Sequence, residues 1–567
     1  MPRSAATSTI EDSAIKRTSR NIWARRALAA PSTQTLAVVA IAVGAVLRIA
    51  QYLDGQSLWL DESLLALNIR SRSLGQLFGA LDYDQHAPPA YLVLEKLAVL
   101  AFGDGEDALR LVALLAGLAS LPLFFLVARR FLSPPAGLFA LALFAVLEPV
   151  IFHSTEVKQY STDVAVAIAL LLGVSFLLPP RPLSVRRAAA VGLFGMAAVW
   201  LSYPSVFFLA GFAVALGAIG LAGRDWDRLK ALLAPSSLWL GTVLALYAIS
   251  RTAVETVGTT FRGGAESSPA FMPLPPDSLS DLKWFGSAAR EFVTRTAGLP
   301  RSTLVVVAVL FLFGCLSVLR RDAGKGLVLL SPLVAALAAS GLEKYPFGGR
   351  FSFFYVPCML CLVAEGAESL VSLLRRLLAG FAPRPVAAAA VRVAGLGVAA
   401  FLLVTPAATA AENLLSPRGR EEIEPTIEYV QAHWHTGDAL YLYYAAQYAF
   451  RYYAECQSCD LVDRRGAARE LWESVEAAPP RREEFAPALR SHPPHLVVGS
   501  RMGDGVPVGD FQSLRGRDRV WVLFSHTSFE AGEKNKAKLL AYLDSLGVRT
   551  APFAASGAGV YLYDLDT

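Results

Sequence analysis

The sequence predicts a mainly α, polytopic membrane protein of about eleven transmembrane helices, followed by a smaller extracytoplasmic α/β domain. Three observations predict it. Hydrophobic residues make up 54% of the 567 residues and charged ones only 17%, with a mean hydropathy of +0.44, too apolar for a soluble protein that must cover its surface with charge. The apolar residues come in long runs separated by polar loops. The net charge is +5, but Lys and Arg sit in short clusters between the apolar runs rather than on one basic face, a topogenic pattern that argues against a nucleic-acid partner.

Residues 1–33 carry Arg3, Lys16, Arg17, Arg20, Arg25 and Arg26 ahead of the first apolar run. No small-residue cleavage site closes that run, so a cytoplasmic basic N-terminus leading into an uncleaved span is expected. Apolar runs then cover residues 36–53, 108–126, 135–152, 164–178, 188–203, 206–221, 231–249, 304–319, 326–342, 351–370 and 393–408. Some are shorter than the ~20 residues of a full crossing. The run 91–102 contains Glu95 and Lys96 and follows Pro88 and Pro89, which fits an interfacial helix better than a span.

The positive-inside rule tests that choice, because counting 91–102 as a crossing would invert every later loop. Leaving it out places Arg129 and Arg130, the loop of Arg181, Arg186 and Arg187, that of Arg224 and Arg228, and the pairs Arg320–Arg321 and Arg375–Arg376 on the cytoplasmic face. The loops 54–107, 153–163, 251–301 and 343–350 and the turn at Pro204 then open outward. An odd number of crossings puts the C-terminal part outside as well. The expected organisation is a membrane domain over 34–411, with juxtamembrane helices in its first outer loop at 54–107, and a periplasmic domain over 412–567. This describes a multi-pass protein of the cell (inner) membrane, surrounded by membrane lipids.

From about residue 412 the apolar runs shrink to strand length and charges and prolines multiply. Strand patterns at 439–444, 496–499, 520–525 and 559–563 alternate with helical patterns at 426–433, 447–454 and 534–546, the signature of an α/β domain of ordinary size. The segment 263–276 is Gly/Ser/Pro-rich and reads as a loop beside the bilayer. Cys315, Cys358 and Cys361 lie in apolar runs and behave as small hydrophobes. Cys456 and Cys459 form a C-x-x-C in a polar region, read as a local disulfide outside the cytoplasm; a zinc site would need His433, His435, His492 or His495 gathered around them.

The outward loops hold nearly all of the unusual polar residues. Asp61 and Glu62 follow the first span in L-W-L-D-E-S, where adjacent carboxylates serve a general base or a divalent-ion site, or simply a solvated helix start. His86, before Pro88 and Pro89, is placed to hydrogen-bond a phosphate or a sugar hydroxyl, or to serve as a turn residue. In H-S-T-E-V-K-Q-Y-S-T-D, a helix beginning at the motif would put Glu156, Tyr160 and Asp163 on one face, with Lys158 pointing elsewhere. Such a polar group at the head of a membrane helix should face water, a ligand or an ion-pair network. Lys344 and Arg350 flank a turn with Gly348 and Gly349, and Arg350 suits a phosphate clamp at headgroup level, or a snorkelling anchor. Arg48, costly in the outer half of the first span, is expected to brace Asp61 and Glu62.

The ordered series L-W-L-D-E-S, H-A-P-P-A-Y-L, A-L-R-L-V, S-T-E-V-K-Q-Y-S-T-D and G-G-R-F-S resembles the GT-C glycosyltransferases, in particular the group of protein O-mannosyltransferases and the lipid A aminoarabinose transferase. The resemblance covers most of the membrane region. It implies a polyisoprenyl-phosphate-linked sugar as donor, inverting transfer to an extracytoplasmic glycan, lipid or protein acceptor, and Asp61 as the base with Glu62 beside it. It further implies substrate-binding roles for His86, Glu156, Lys158, Tyr160, Asp163 and Arg350, although Ala87 stands where relatives carry a proline. No cofactor is implied with certainty, and a divalent metal ion stays open. The competing expectations are a transporter or flippase, which would need repeat-related broken helices at the midplane, and a non-catalytic subunit that binds glycan through its outer domain.

Overall fold

The computed structural model describes residues 32–566 apart from 180–182, 263–270, 380, 382, 418, 460–470, 472–494 and 504, and only the backbone over 250–262. The basic N-terminus, Arg181, most of the Gly/Ser/Pro-rich loop and His492 lie outside the described residues. Among the described residues sixteen α-helices precede the first strand: α1 Thr33–Leu53, α2 Leu60–Ser71, α3 Pro89–Phe102, α4 Glu106–Phe131, α5 Pro134–Val146, α6 Glu148–Phe152, α7 Tyr160–Val174, α8 Val185–Leu201, α9 Ser205–Ala222, α10 Trp226–Arg262, α11 Leu279–Glu291, α12 Leu304–Arg321, α13 Ala323–Gly341, α14 Val356–Leu378, α15 Arg384–Leu415 and α16 Glu424–Ala432.

Each of the eleven apolar runs falls on helix. Among the described residues, eight helices are long and apolar enough to cross a bilayer, and a ninth crossing results if the bent pair Pro134–Val146 and Glu148–Thr155 is one span. The two remaining runs form α7, of 15 residues, and α8, of 17, which at 1.5 Å per residue reach roughly 22 to 26 Å against a hydrocarbon core of ~30 Å. Large apolar side chains such as Val38, Leu115, Leu240, Val305 and Val393 stand exposed on outer helix faces, the pattern of a lipid-facing surface.

Close helix crossings hold the bundle together where small residues permit it. A Cβ placed on Gly314 of α12 would lie 1.8 Å from the Leu362 carbonyl oxygen, and one on Gly366 of α14 would lie 1.8 Å from that of Leu310. The two backbones therefore touch, and neither position tolerates a side chain. The bend between α5 and α6 measures 62°, and its cause is Pro149, which has no N–H to offer the carbonyl of Ala145. Arg48 supplies the missing donors: its guanidinium bonds Gly44 O at 2.8 Å and Ala145 O and Phe144 O at 3.4 Å.

That placement corrects the expectation for Arg48. It is fully buried between α1 and α5, bonded to backbone carbonyls, and braces neither Asp61 nor Glu62. A buried guanidinium needs acceptors within reach, and the carbonyls opened by the bend lie on its own level.

The apolar run 91–102 forms α3. It buries Tyr91, Leu92, Ala98 and Val99 and exposes Leu94, Leu97, Leu100 and Phe102. Pro89 at its first turn loses no intrahelical bond, and Lys96 Nζ caps the end of α2 by donating to Ile69 O at 2.9 Å and Arg70 O at 2.8 Å.

The C-terminal domain is a five-stranded sheet with α16, α17 Ala446–Glu455 and α18 Glu530–Asp544 against it. Its strands are β1 Ala439–Leu442, β2 Leu496–Val498, β3 Val520–Phe524, β4 Val548–Ala555 and β5 Ala558–Asp564, in the order β2-β1-β3-β5-β4. β1 pairs parallel with β2 and β3, and β5 pairs antiparallel with β3 and β4. Only β4 had no counterpart in the sequence reading; it carries Pro552 and a register irregularity between Arg549 and Ala551, features that an edge strand tolerates. The predicted disulfide between Cys456 and Cys459 is present.

The boundary expected at residue 412 divides a single core. Leu58, Leu65, Tyr91 and Leu92 of the segment 54–107 share one buried apolar cluster with Leu440, Tyr453, Trp521 and Val560 of the C-terminal domain, while the apolar helices form another. Polar contacts seal the join. Asp104 accepts from the backbone N–H of Gln457 at 3.1 Å and of Ser458 at 2.9 Å, inside the disulfide-closed turn. Glu422 accepts from the N–H and hydroxyl of Ser57 at 3.1 and 3.0 Å.

Candidate active site

The loops assigned to one side by counting crossings do meet at one end of the bundle. Trp59 caps α2 from extended backbone and puts Asp61 and Glu62 in the first helical turn, where the helix dipole favours negative charge. From there the two neighbours diverge. Glu62 is 2% exposed and turns inward to Arg110 of α4, which donates Nε at 3.3 Å and Nη2 at 3.1 Å. It also accepts the N–H of Val157 at 2.7 Å. Burial outweighs the arginine, and its carboxyl is raised above the ordinary glutamate value.

Asp61 turns toward the opening, where it pairs with Arg350. Burial pushes its carboxyl up, but Lys158 and Arg350 more than offset this and the net shift is downward, so the group is ionised at neutral pH. Arg350 lies over the rings of Trp59, Tyr160 and Phe351, each 5.8 Å from the guanidinium carbon. The turn that carries it holds Gly348 at φ +149° and Gly349 at φ +48°, backbone that side-chain-bearing residues rarely adopt. Lys344, at the other end of that turn, makes no contact with this group.

The motif around Glu156 corrects the sequence reading. The helix starts at Tyr160, not at Glu156: His153–Thr155 is a short 3-10 turn and Glu156 is extended at φ −111°. Glu62 holds the segment in this form through Val157 N–H. Glu156, Lys158 and Tyr160 therefore all reach the site, and Lys158 does not point away. Glu156 accepts from Trp59 Nε1 at 3.0 Å, contacts His153 Nδ1 at 2.6 Å and has Arg420 at 3.7 Å. Burial raises its carboxyl, but His153, Arg420 and Arg350 bring it below the usual range. Lys158 donates to Gln85 at 2.7 Å, and burial lowers its ammonium despite Asp61. Asp163, by contrast, is buried in α7 with Oδ1 unpartnered among the described residues.

Trp59, His153, Glu156 and Arg350 line a cleft of ≈ 940 Å³, large enough for a drug-sized or larger ligand, and Asp61 stands behind that lining through its pair with Arg350. Five arginines line it: Arg350, Arg420, Arg290, Arg295 and Arg301, facing the carboxylates of Glu156 and Glu291. Arg420, from the approach to the C-terminal domain, lies over Trp59 at 4.3 Å and Phe152 at 4.6 Å. The next residue, Glu421, accepts the N–H of Leu60 at 3.1 Å and contacts His526 Nδ1 at 2.6 Å.

His86 lines a second cavity of ≈ 260 Å³ with Asp84, Gln85 and Tyr203. Its link to the cleft is the Lys158–Gln85 hydrogen bond, and burial lowers its pKa. Among the described residues, no group of three His, Cys, Asp or Glu is arranged to hold a metal ion.

Arg420, Arg290, Arg295, Arg301 and His153 were not singled out in the sequence. His153 opens the H-S-T-E motif, and Arg110 stands in A-L-R-L-V at the costly end of a span, signals that could have found both. The others carry no local pattern.

Fold and site together define a polytopic membrane protein with an arginine-lined cleft where its loops and its C-terminal domain meet. No family model and no curated protein matches the chain. Among solved structures it is similar to ArnT from Cupriavidus metallidurans in the apo state, at 14% identity over 93% of this chain and 97% of that one, TM-score 0.47, and to the same protein bound to undecaprenyl phosphate, at 15% identity over 93% and 97%, TM-score 0.44. It is also similar to the Archaeoglobus fulgidus oligosaccharyltransferase tethered to an acceptor peptide, at 14% identity over 74% of this chain, TM-score 0.47; the match spans 63% of that chain, less than two thirds of its length. At these scores the likeness carries no functional weight, which rests on the site's own chemistry.

Proposed function

We propose that the protein is a GT-C-type glycosyltransferase that moves a sugar from a polyisoprenyl-phosphate donor to an acceptor on the extracytoplasmic face of the membrane. The observation that carries this reading is the Asp61–Arg350 pair at the edge of a cationic cleft. A sugar on a lipid phosphate already has an anionic leaving group, so the raised-pKa acid of glycoside hydrolases is not required. Two functions suffice: a carboxylate to take the acceptor proton and cations to hold the departing phosphate.

In this scheme the acceptor oxygen attacks the anomeric carbon and its proton passes to Asp61. The bond from that carbon to the phosphate oxygen breaks, and its electron pair stays on the phosphate beside Arg350 and Arg420. A single displacement inverts the anomeric centre. Arg350 weakens Asp61 as a base in the empty site; once donor phosphate takes over Arg350, the carboxylate loses its partner and its basicity rises when it is needed. Glu62, sealed against Arg110, holds Asp61 in place, and Tyr160 supports Arg350 from beneath. The cavity at His86 is the proposed acceptor side.

The test is to incubate membranes containing the protein with a panel of radiolabelled sugars carried on polyisoprenyl phosphates and on polyisoprenyl diphosphates. Label is expected to leave one carrier for a lipid-free or second-lipid product. Carriers that stay fully labelled across the panel, in membranes where the protein is folded, would sink the proposal.

A further inference from the structure

We infer that the cleft is built for two phosphoryl groups, so that the carrier on which the sugar arrives is a polyisoprenyl diphosphate. The inference rests on the glycosyltransferase reading and refines its donor. Arg350 and Arg420 stand at the reaction end, each beside a carboxylate, Asp61 and Glu156 respectively. Arg290, Arg295 and Arg301 come from a different stretch: the end of α11, the π-helical turn Phe292–Thr296 and the 3-10 turn Arg301–Thr303. All three line the same cleft, and among the described residues none of their guanidinium groups has a hydrogen-bond or ion-pair partner.

Charge matching decides between carriers. The five lining arginines face two lining carboxylates, Glu156 and Glu291, an excess of three positive charges; Asp61 and Lys158, just behind the lining, cancel. A sugar phosphodiester carries one negative charge and leaves as a phosphate with about two. A sugar diphosphate carries two and leaves as a lipid diphosphate with three when fully ionised. The cleft therefore complements the diphosphate best after the glycosidic bond has broken, where complementarity accelerates the reaction. The acceptor oxygen still bonds the anomeric carbon, the proton still goes to Asp61, and the electron pair of the broken bond stays on the nearer phosphate.

Phosphate chemistry at the three unpaired arginines has a second source, the headgroups of anionic phospholipids, and the experiment separates the two. Full-length protein in phosphatidylcholine nanodiscs is titrated with undecaprenyl phosphate and with undecaprenyl diphosphate. The diphosphate is expected to bind at least about tenfold more tightly, as additional charge-assisted hydrogen bonds provide. In the Arg290→Ala/Arg295→Ala/Arg301→Ala variant that advantage should vanish while monophosphate binding stays within about twofold, since Arg350 and Arg420 are left in place for the first phosphate. Equal affinity in the wild type, or equal loss of both lipids in the triple variant, overturns the inference. So does an advantage that disappears when phosphatidylglycerol is added to the discs, because the arginines then serve headgroups. Binding of neither lipid would overturn both the inference and the glycosyltransferase reading beneath it.

Discussion

Asp61 and Glu62 are neighbours in the chain, and each meets an arginine, yet the two pairs live in different surroundings. Glu62 and Arg110 are sealed, with side chains 3% and 6% exposed, and both oxygens of the carboxylate are bonded. Asp61 and Arg350 are 21% and 36% exposed, and Arg350 lines the cleft. A sealed pair has exchanged its freedom to react for structure; an open pair can be separated by a ligand that offers a better partner. The comparison assigns architecture to Glu62 and chemistry to Asp61, although the sequence alone gives them equal standing.

The sharpest way to break that division is Asp61→Asn, which keeps shape and removes the base. Transfer should fall by about 10²–10⁴-fold, the range for loss of a general base, with the thermal midpoint unchanged; retained transfer would remove Asp61 from the mechanism. Arg110→Met tests the other half. Leaving Glu62 buried without its partner should cost about 3–5 kcal/mol, seen as lost expression or a lower unfolding midpoint, and a stable Arg110→Met protein would show that the sealed pair does not hold the loop. Arg420→Ala is expected to raise KM for the donor about tenfold, with a smaller change in kcat, as removal of one charge-assisted phosphate contact predicts. An unaltered KM would confine Arg420 to its stacking on Trp59.

The smallest effect concerns Glu424, beside the same join. Burial pushes its carboxyl up to about 7, so the folded state holds that proton more tightly than the unfolded one. Its contribution to stability is therefore present in mild acid and lost as pH rises through the interval between its ordinary value and about 7. Glu424→Gln should raise the thermal midpoint at pH 8 and leave it unchanged at pH 5. An equal gain at both would mean that the side chain is not titrating there.

What could be read from the sequence followed from periodicity and charge. The apolar runs mark the helices, and the distribution of Lys and Arg among the loops brings Asp61, Glu156 and Arg350 to one end. What could not be read depended on local breaks and on chain return. The bond from Val157 N–H to Glu62 holds Glu156 extended, off the face it would have shared with Asp163, and the bend at Pro149 turns Arg48 into a donor for stranded carbonyls. Arg420 lies some 360 residues from the helix it faces, and Arg290, Arg295 and Arg301 sit in a stretch of short helical pieces without a sequence motif, so only the folded chain gathers them. Pro552 concealed an edge strand whose register irregularity accommodates it.

The segment Arg420–Glu422 also bears on how the protein can be cut or fused. A chain stopped after its last apolar helix would retain every bilayer-crossing segment and still lose a wall of the cleft, the acceptor for Leu60 N–H and the partner of Ser57. The C-terminal domain is thus no detachable accessory: supplying it as a separate polypeptide should restore the site only if the residues from 420 onward travel with it.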